Sequence, residues 1–122
     1  MKKKIQEGFT LIELLIALFV LSVVLLALCT MVYSVMRATT QSKGMATATT
    51  LVQDKMEEFK NLSYTSSALA PGTYSNSTSL GNITYNRQWT VSTSGNIKTI
   101  TVTVSWTDQG SHSISLSTLR GE

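Results

Sequence analysis

The sequence predicts an α+β fold: one long N-terminal α-helix, membrane-spanning in its first half and amphipathic in its second, packed on a small antiparallel β-sheet of three or four strands. Three observations predict it. From Leu14 to Met36 the chain is apolar, uncharged and free of Pro and Gly. A stripe of apolar residues at spacings of three and four follows, the period of one helix face. From residue 83 onward the pattern changes to alternation with turn signals between the runs, the period of a strand.

The 122 residues suffice for one domain. Charged residues make up 14% of the chain, against roughly 25% in soluble domains. An evenly mixed soluble globule is excluded, and little chain remains beyond the apolar run to build a deep enzyme pocket. The single cysteine, Cys29, excludes an internal disulfide and a cysteine metal cluster. The single histidine, His112, excludes a multi-histidine site. The net charge is +3, and Lys2, Lys3 and Lys4 supply much of the basicity at one end. Nucleic acid is disfavoured as a partner, because it calls for basic residues spread over a folded face.

Residues 1–8 form a short polar leader ending at Gly8, and residues 9–36 the apolar helix. About 20 apolar residues cross a bilayer as a helix. The lysines before it place the N-terminus in the cytoplasm by the positive-inside rule. A cleaved secretory signal fits less well, because the run is long and no A-x-A site follows. A lipoprotein signal at Leu26-Ala27-Leu28-Cys29 has the bulky Leu28 where a small residue is needed. A retained membrane helix is the reading that remains. Glu13 lies inside this segment, four residues after Phe9, and a carboxylate at the centre of a spanning helix costs about 2.5–3.5 kcal/mol. It either snorkels from the helix end or has a partner cation.

Residues 37–62 continue the helix in amphipathic form, making one helix of roughly 80 Å from about Phe9 to Asn61 at 1.5 Å per residue. Met45, Ala48, Val52, Met56 and Phe59 form the apolar stripe, while Asp54, Lys55, Glu57, Glu58 and Lys60 occupy much of the remainder. The stripe reads as core. Residues 63–82 are polar and turn-rich, with Pro71-Gly72 and Gly81-Asn82, and read as a variable loop with room for one short strand around Tyr74.

Residues 83–122 read as an antiparallel sheet. Ile83, Tyr85, Arg87, Trp89 and Val91 share one side of the first run, so Arg87 calls for an edge position or an acidic partner. Ser94-Gly95-Asn96 marks a hairpin. Ile100, Val102, Val104 and Trp106 face inward in the second run, with Thr99, Thr101, Thr103 and Ser105 outward. Asp108-Gln109-Gly110 makes the next turn, and Ile114 and Leu116 face inward in the third run. One face is rich in threonine and wet, as a one-sided sheet allows.

No catalytic constellation emerges. His112 reads as solvated and Cys29 as a packing residue. Asp54, Glu57 and Glu58 read as a solvated helix face, and Trp89 and Trp106 as core. The abundant Ser and Thr have no His/Asp set to activate them. No catalytic residue, cofactor or metal site is expected.

Lys2 to Leu15, KKKIQEGFTLIELL, closely resembles the class III signal of type IV prepilins and of type II secretion pseudopilins. The resemblance implies cleavage by a prepilin peptidase between Gly8 and Phe9, followed by N-methylation of Phe9. The family's glutamate falls on Glu13. In an assembled bundle this carboxylate can neutralise the new N-terminal amine of a neighbouring subunit, so pairing sets axial register. Cleavage leaves 114 residues, and the loss of three lysines and Glu7 moves the side-chain charge from +3 to +1. More weakly, the segment from Ala46 to Leu119 resembles PilV-class minor pilins and I-type minor pseudopilins of type II secretion. It does so through ATATTLVQDKMEEFK, the Tyr85–Trp89 strand and ITVTVSW. The chain lacks the C-terminal cysteine pair and the helix proline of many major pilins, which leans toward a minor subunit.

The implied function is a minor type IV pilin, incorporated into a pilus or priming its assembly. The implied partners are the prepilin peptidase, other minor and major pilins, an ATPase-driven inner-membrane assembly platform, and the membrane itself. No small-molecule substrate is implied. The implied location is the bacterial cytoplasmic membrane, single-pass with a cytoplasmic N-terminus, then a pilus or a periplasmic pseudopilus. Two other functions remain open: a minor pseudopilin of type II secretion, and a pilus-tip adhesion or DNA-uptake subunit.

Overall fold

A computed structural model describes residues 8–122. The order of elements is α1 (Leu11–Asn61), a 3-10 turn (Ser67–Leu69), β1 (Gly72–Leu80), β2 (Ile83–Ser94), β3 (Ile97–Thr107) and β4 (Ser111–Gly121). The α+β class holds, with four strands in the sheet. The chain divides between Thr39 and Thr40 into two compact units.

In the first unit α1 begins two residues later than the apolar pattern alone suggests, because Thr10 caps it. The Thr10 carbonyl accepts the first helical bond from the Leu14 N–H at 3.2 Å. The apolar side chains that follow are exposed along the whole run, from Leu11 (77%) to Met36 (65%). The hydroxyls inside the run are internally satisfied: Ser22 donates to the Phe19 carbonyl at 2.7 Å and Thr30 to that of Ala27 at 2.8 Å. A hydroxyl with such a bond can sit in hydrocarbon without a lost donor.

The second unit holds the core. The buried stripe of α1 is Gly44, Ala48, Val52, Lys55, Met56 and Phe59. It packs on Tyr85, Val91, Ile100, Val102, Val104 and Trp106 from the inner face of the sheet, with Leu69 closing one end. Two stripe assignments need correction. Met45 is 49% exposed, and its neighbour Gly44 is the buried residue. Lys55 belongs to the core side. Its stem is buried, its ammonium bonds both Glu58 oxygens at 2.8 and 2.9 Å, and it stands 4.4 Å from the Trp89 ring centroid and 5.1 Å from that of Phe59. A long cationic side chain covers apolar surface in this way while its head finds a counter-charge.

The sheet is an antiparallel meander in chain order, β1-β2-β3-β4. Its inward alternation follows the sequence pattern in β2 and β3. Arg87 finds an amide rather than an acid, its Nε donating to Asn76 Oδ1 at 2.9 Å across the β1–β2 pair. Leu116 lies on the inner face opposite Val102 but remains 48% exposed, because β4 is an edge strand.

The reading of residues 63–82 as a loop with room for one short strand around Tyr74 understates the strand. Gly72 to Leu80 form a nine-residue strand paired over its whole length with β2, Gly72 opposite Val91 and Leu80 opposite Ile83. Gly81 and Gly95, at φ +64° and +59°, open the two-residue turns Gly81-Asn82 and Gly95-Asn96. Glycine at the first turn position with an ordinary second residue is the chemistry of a type II′ hairpin.

Two cations tie the connections down. Lys98 Nζ donates to the carbonyls of Tyr64 at 2.7 Å and Leu69 at 3.1 Å, holding the segment between α1 and β1. Arg120 Nη1 donates to the carbonyls of Phe59 and, at 3.1 Å, Lys60. That places a positive charge on the last turn of α1, where unpaired carbonyls and the helix dipole favour it.

Candidate functional site

Gly8, Phe9 and Thr10 precede the helix and carry no regular structure. All three are exposed, Phe9 at 87%. The Gly8–Phe9 peptide bond therefore lies outside the helical hydrogen-bond ladder and is open to an enzyme. A Cβ placed on Gly8 would meet nothing within 4 Å. Among the described residues nothing calls for glycine at this position. The leader lysines Lys2, Lys3 and Lys4, and Glu7, lie outside the described residues.

Glu13 stands in the first turn of α1. Its backbone N–H donates to Thr10 Oγ1 at 3.2 Å. Thr10 is thus the N-cap and Glu13 the third helical residue, the spacing of a capping box. The N-terminal carboxylate also complements the positive end of the helix dipole. Sequence reasoning singled out Gly8, Phe9 and Glu13 and passed over Thr10. The signal was present as Thr10-Leu11-Ile12-Glu13, a T-x-x-E pattern before an apolar run.

Behind this cap α1 is long and apolar enough to cross a membrane, with a window of mean hydropathy 3.0 near the N-terminus and none of that window buried. A capped start followed by an unburied apolar helix fits membrane anchoring.

The other candidate residues do not gather into a reactive site. His112 is not merely solvated: it lies on the inner face of β4, with Nε2 3.1 Å from Asp108 Oδ1 and its ring stacked on Trp106 at 5.4 Å between centroids. Asp108 also accepts the Gln109 N–H within the β3–β4 turn. Asp54, Glu57 and Glu58 are exposed on α1, and Glu58 pairs with Lys55. Among the described residues no three His, Cys, Asp or Glu side chains are placed to hold a metal ion. Trp106 is core, and Trp89 is half-buried between Phe59 and Tyr74.

Residues 3–28 match the model of the prokaryotic N-terminal methylation motif. No curated protein matches the chain. No solved structure matches it either. The family match spans the basic leader, the Gly8–Phe9 bond, the Thr10 cap, Glu13 and the first turns of the apolar helix. The chain therefore carries, at its N-terminus, a prokaryotic N-terminal methylation motif, the class III signal that type IV pilin-like precursors bear.

Proposed function

We propose that this chain is a minor type IV pilin, held in the cytoplasmic membrane and then drawn into a pilus, where it takes part in priming assembly. The observation that carries the reading is the methylation motif at residues 3–28 joined to an unburied apolar helix. In this reading a prepilin peptidase cuts between Gly8 and Phe9 and methylates Phe9. The cut removes the leader charges that a filament core would otherwise have to bury. The apolar half of α1 then packs against neighbouring subunits, and Glu13 neutralises a neighbour's N-terminal amine and sets the axial register. The chain has one cysteine and no proline in α1, which supports a minor rather than a major subunit.

The test is quantitative mass spectrometry of filaments sheared from the native host, following the tryptic peptide from methylated Phe9 to Arg37. A trace amount beside a dominant pilin is the expected result. A dominant amount makes the chain a major subunit. Absence from surface filaments, with the processed form in membranes, makes it a pseudopilin of type II secretion.

A further inference from the structure

The outer face of the sheet, away from α1, carries no charge. The strand register assigns it to Thr73, Ser75, Ser77 and Ser79 of β1, and to the outward residues of the other strands from Thr84 to Leu119. Every outward position from Thr73 to Ser117 is Ser, Thr, Asn or Gln except Ile97. Same-face side chains recur about every 6.7 Å along a strand and about 4.8 Å between strands, so these groups form a regular lattice.

Part of the lattice is internally paired. Thr73 bonds Thr90 at 3.3 Å, Ser79 bonds Thr84 at 3.1 Å and Thr101 bonds Ser117 at 2.9 Å. Between these pairs lies a shallow depression of about 540 Å³. Ser75, Ser77, Asn86, Gln88, Thr103 and Ser105 line it, and none of their side chains has a hydrogen-bond partner among the described residues. Asn76 and Arg87 border it as well, but the register turns their side chains to the other face, where they bond each other. A second depression of about 440 Å³ shares Asn86 and Ser105 and continues toward Thr84, Thr107 and Ser111, bordered also by Asn82 and by Trp106 and His112 of the inner register. The two make one open trough whose outward lining is hydroxyl and carboxamide.

We propose that this trough binds a neutral polysaccharide laid across the strands. The argument is complementarity of charge and of hydrogen bonding. A nucleic acid or acidic polymer would bring charges to a surface that offers no countercharge, and an apolar partner would strip water from unpaired hydroxyls and amides at a cost. A neutral sugar chain offers hydroxyls, each both donor and acceptor, to groups of the same dual character. Individual contacts of this kind are weak, and a repeating polymer on a repeating lattice gains by engaging several at once. The proposal does not rest on the assembly reading, since it concerns the sheet of a single subunit.

The experiment is depletion of the full chain, in detergent micelles, by suspensions of amorphous cellulose, chitin and an insoluble α-glucan, with alginate beads and immobilised duplex DNA alongside. The expected result is retention on at least one neutral polymer, insensitive to added salt and reduced about tenfold or more by Gln88→Lys with Thr103→Lys. If that double variant loses its thermal transition, the single variant Gln88→Lys is read in its place. Retention on none of the neutral polymers overturns the proposal. So does salt-sensitive retention on alginate or DNA instead, or unchanged retention of a folded variant.

Discussion

The Thr10 hydroxyl and the Glu13 backbone N–H are joined by a 3.2 Å hydrogen bond that starts α1. The bond uses the amide of Glu13 and leaves its carboxylate uncommitted among the described residues. Capping and charge are therefore separable by substitution. Thr10→Ala removes the cap and is expected to cost about 0.5–2 kcal/mol in the first turn. It should speed amide exchange at Glu13 in the full chain in micelles, while Thr10→Ser should not.

Glu13→Gln keeps the backbone donor and removes the charge. Helix onset, read by the same amide exchange, should weaken by no more than the lost dipole contact, about 0.3–1 kcal/mol. Incorporation into filaments, measured by mass spectrometry, should fall sharply. Normal incorporation of this variant would remove Glu13 from the proposed register role.

Gly8→Val is expected to block processing without altering the fold, since a side chain at Gly8 has open space around it. Co-expression with a prepilin peptidase should leave the variant at its full precursor mass, while the parent chain shortens by eight residues. Cleavage of the variant at the parent rate would show that glycine is not what the enzyme reads.

Gly44→Ala opposes two effects. Alanine favours the helix by about 0.8–1 kcal/mol over glycine. Its Cβ would, however, stand 2.9 Å from Trp106 Nε1, with the ring buried and fixed by Tyr85 and His112. Overpacking of that kind costs about 1–3 kcal/mol, so a net loss of about 1 kcal/mol is expected. The measurement is a thermal melt followed by tryptophan fluorescence.

Lys98→Met keeps the stem and removes the ammonium that joins the Tyr64 and Leu69 carbonyls. A loss of about 1–3 kcal/mol is expected from the unpaired groups, concentrated in one segment. Limited proteolysis should cut between residues 62 and 71 faster in the variant than in the parent.

Long-period patterns were the legible part of this chain. The 23-residue apolar run, the Ala48–Phe59 stripe and the alternation of β2 and β3 each predict the observed element, because burial on one face dictates residue type at every turn or every second residue. β1 was legible only as room for a short strand around Tyr74, for the converse reason. Its sequence GTYSNSTSL has only Tyr74 and Leu80 to mark the inner face, and Gly, Ser and Asn carry little strand preference. Pairing with β2 decides its conformation, a tertiary effect. Lys55, Lys98 and Arg120 were misread or passed over because charge suggests solvent, while their stems and donors serve the core and the chain connections. At the N-terminus, Gly8, Phe9 and Glu13 were singled out through the resemblance of a motif, and Thr10 would have been through its cap spacing.

The strands of the meander succeed one another in space as they do in sequence, and this bears on how the protein can form. Each strand after β1 needs to find only its predecessor, across a turn of two or three residues, so register is chosen locally and early. Topologies dominated by such short-range pairings close their loops at small entropic cost and fold quickly. The long-range step is the laying of the sheet against the Ala48–Phe59 stripe, which precedes all four strands in the chain. The sheet thus closes on a helix that lies earlier in the chain, with Arg120 of the last strand donating to the carbonyls of Phe59 and Lys60 at the end of that helix.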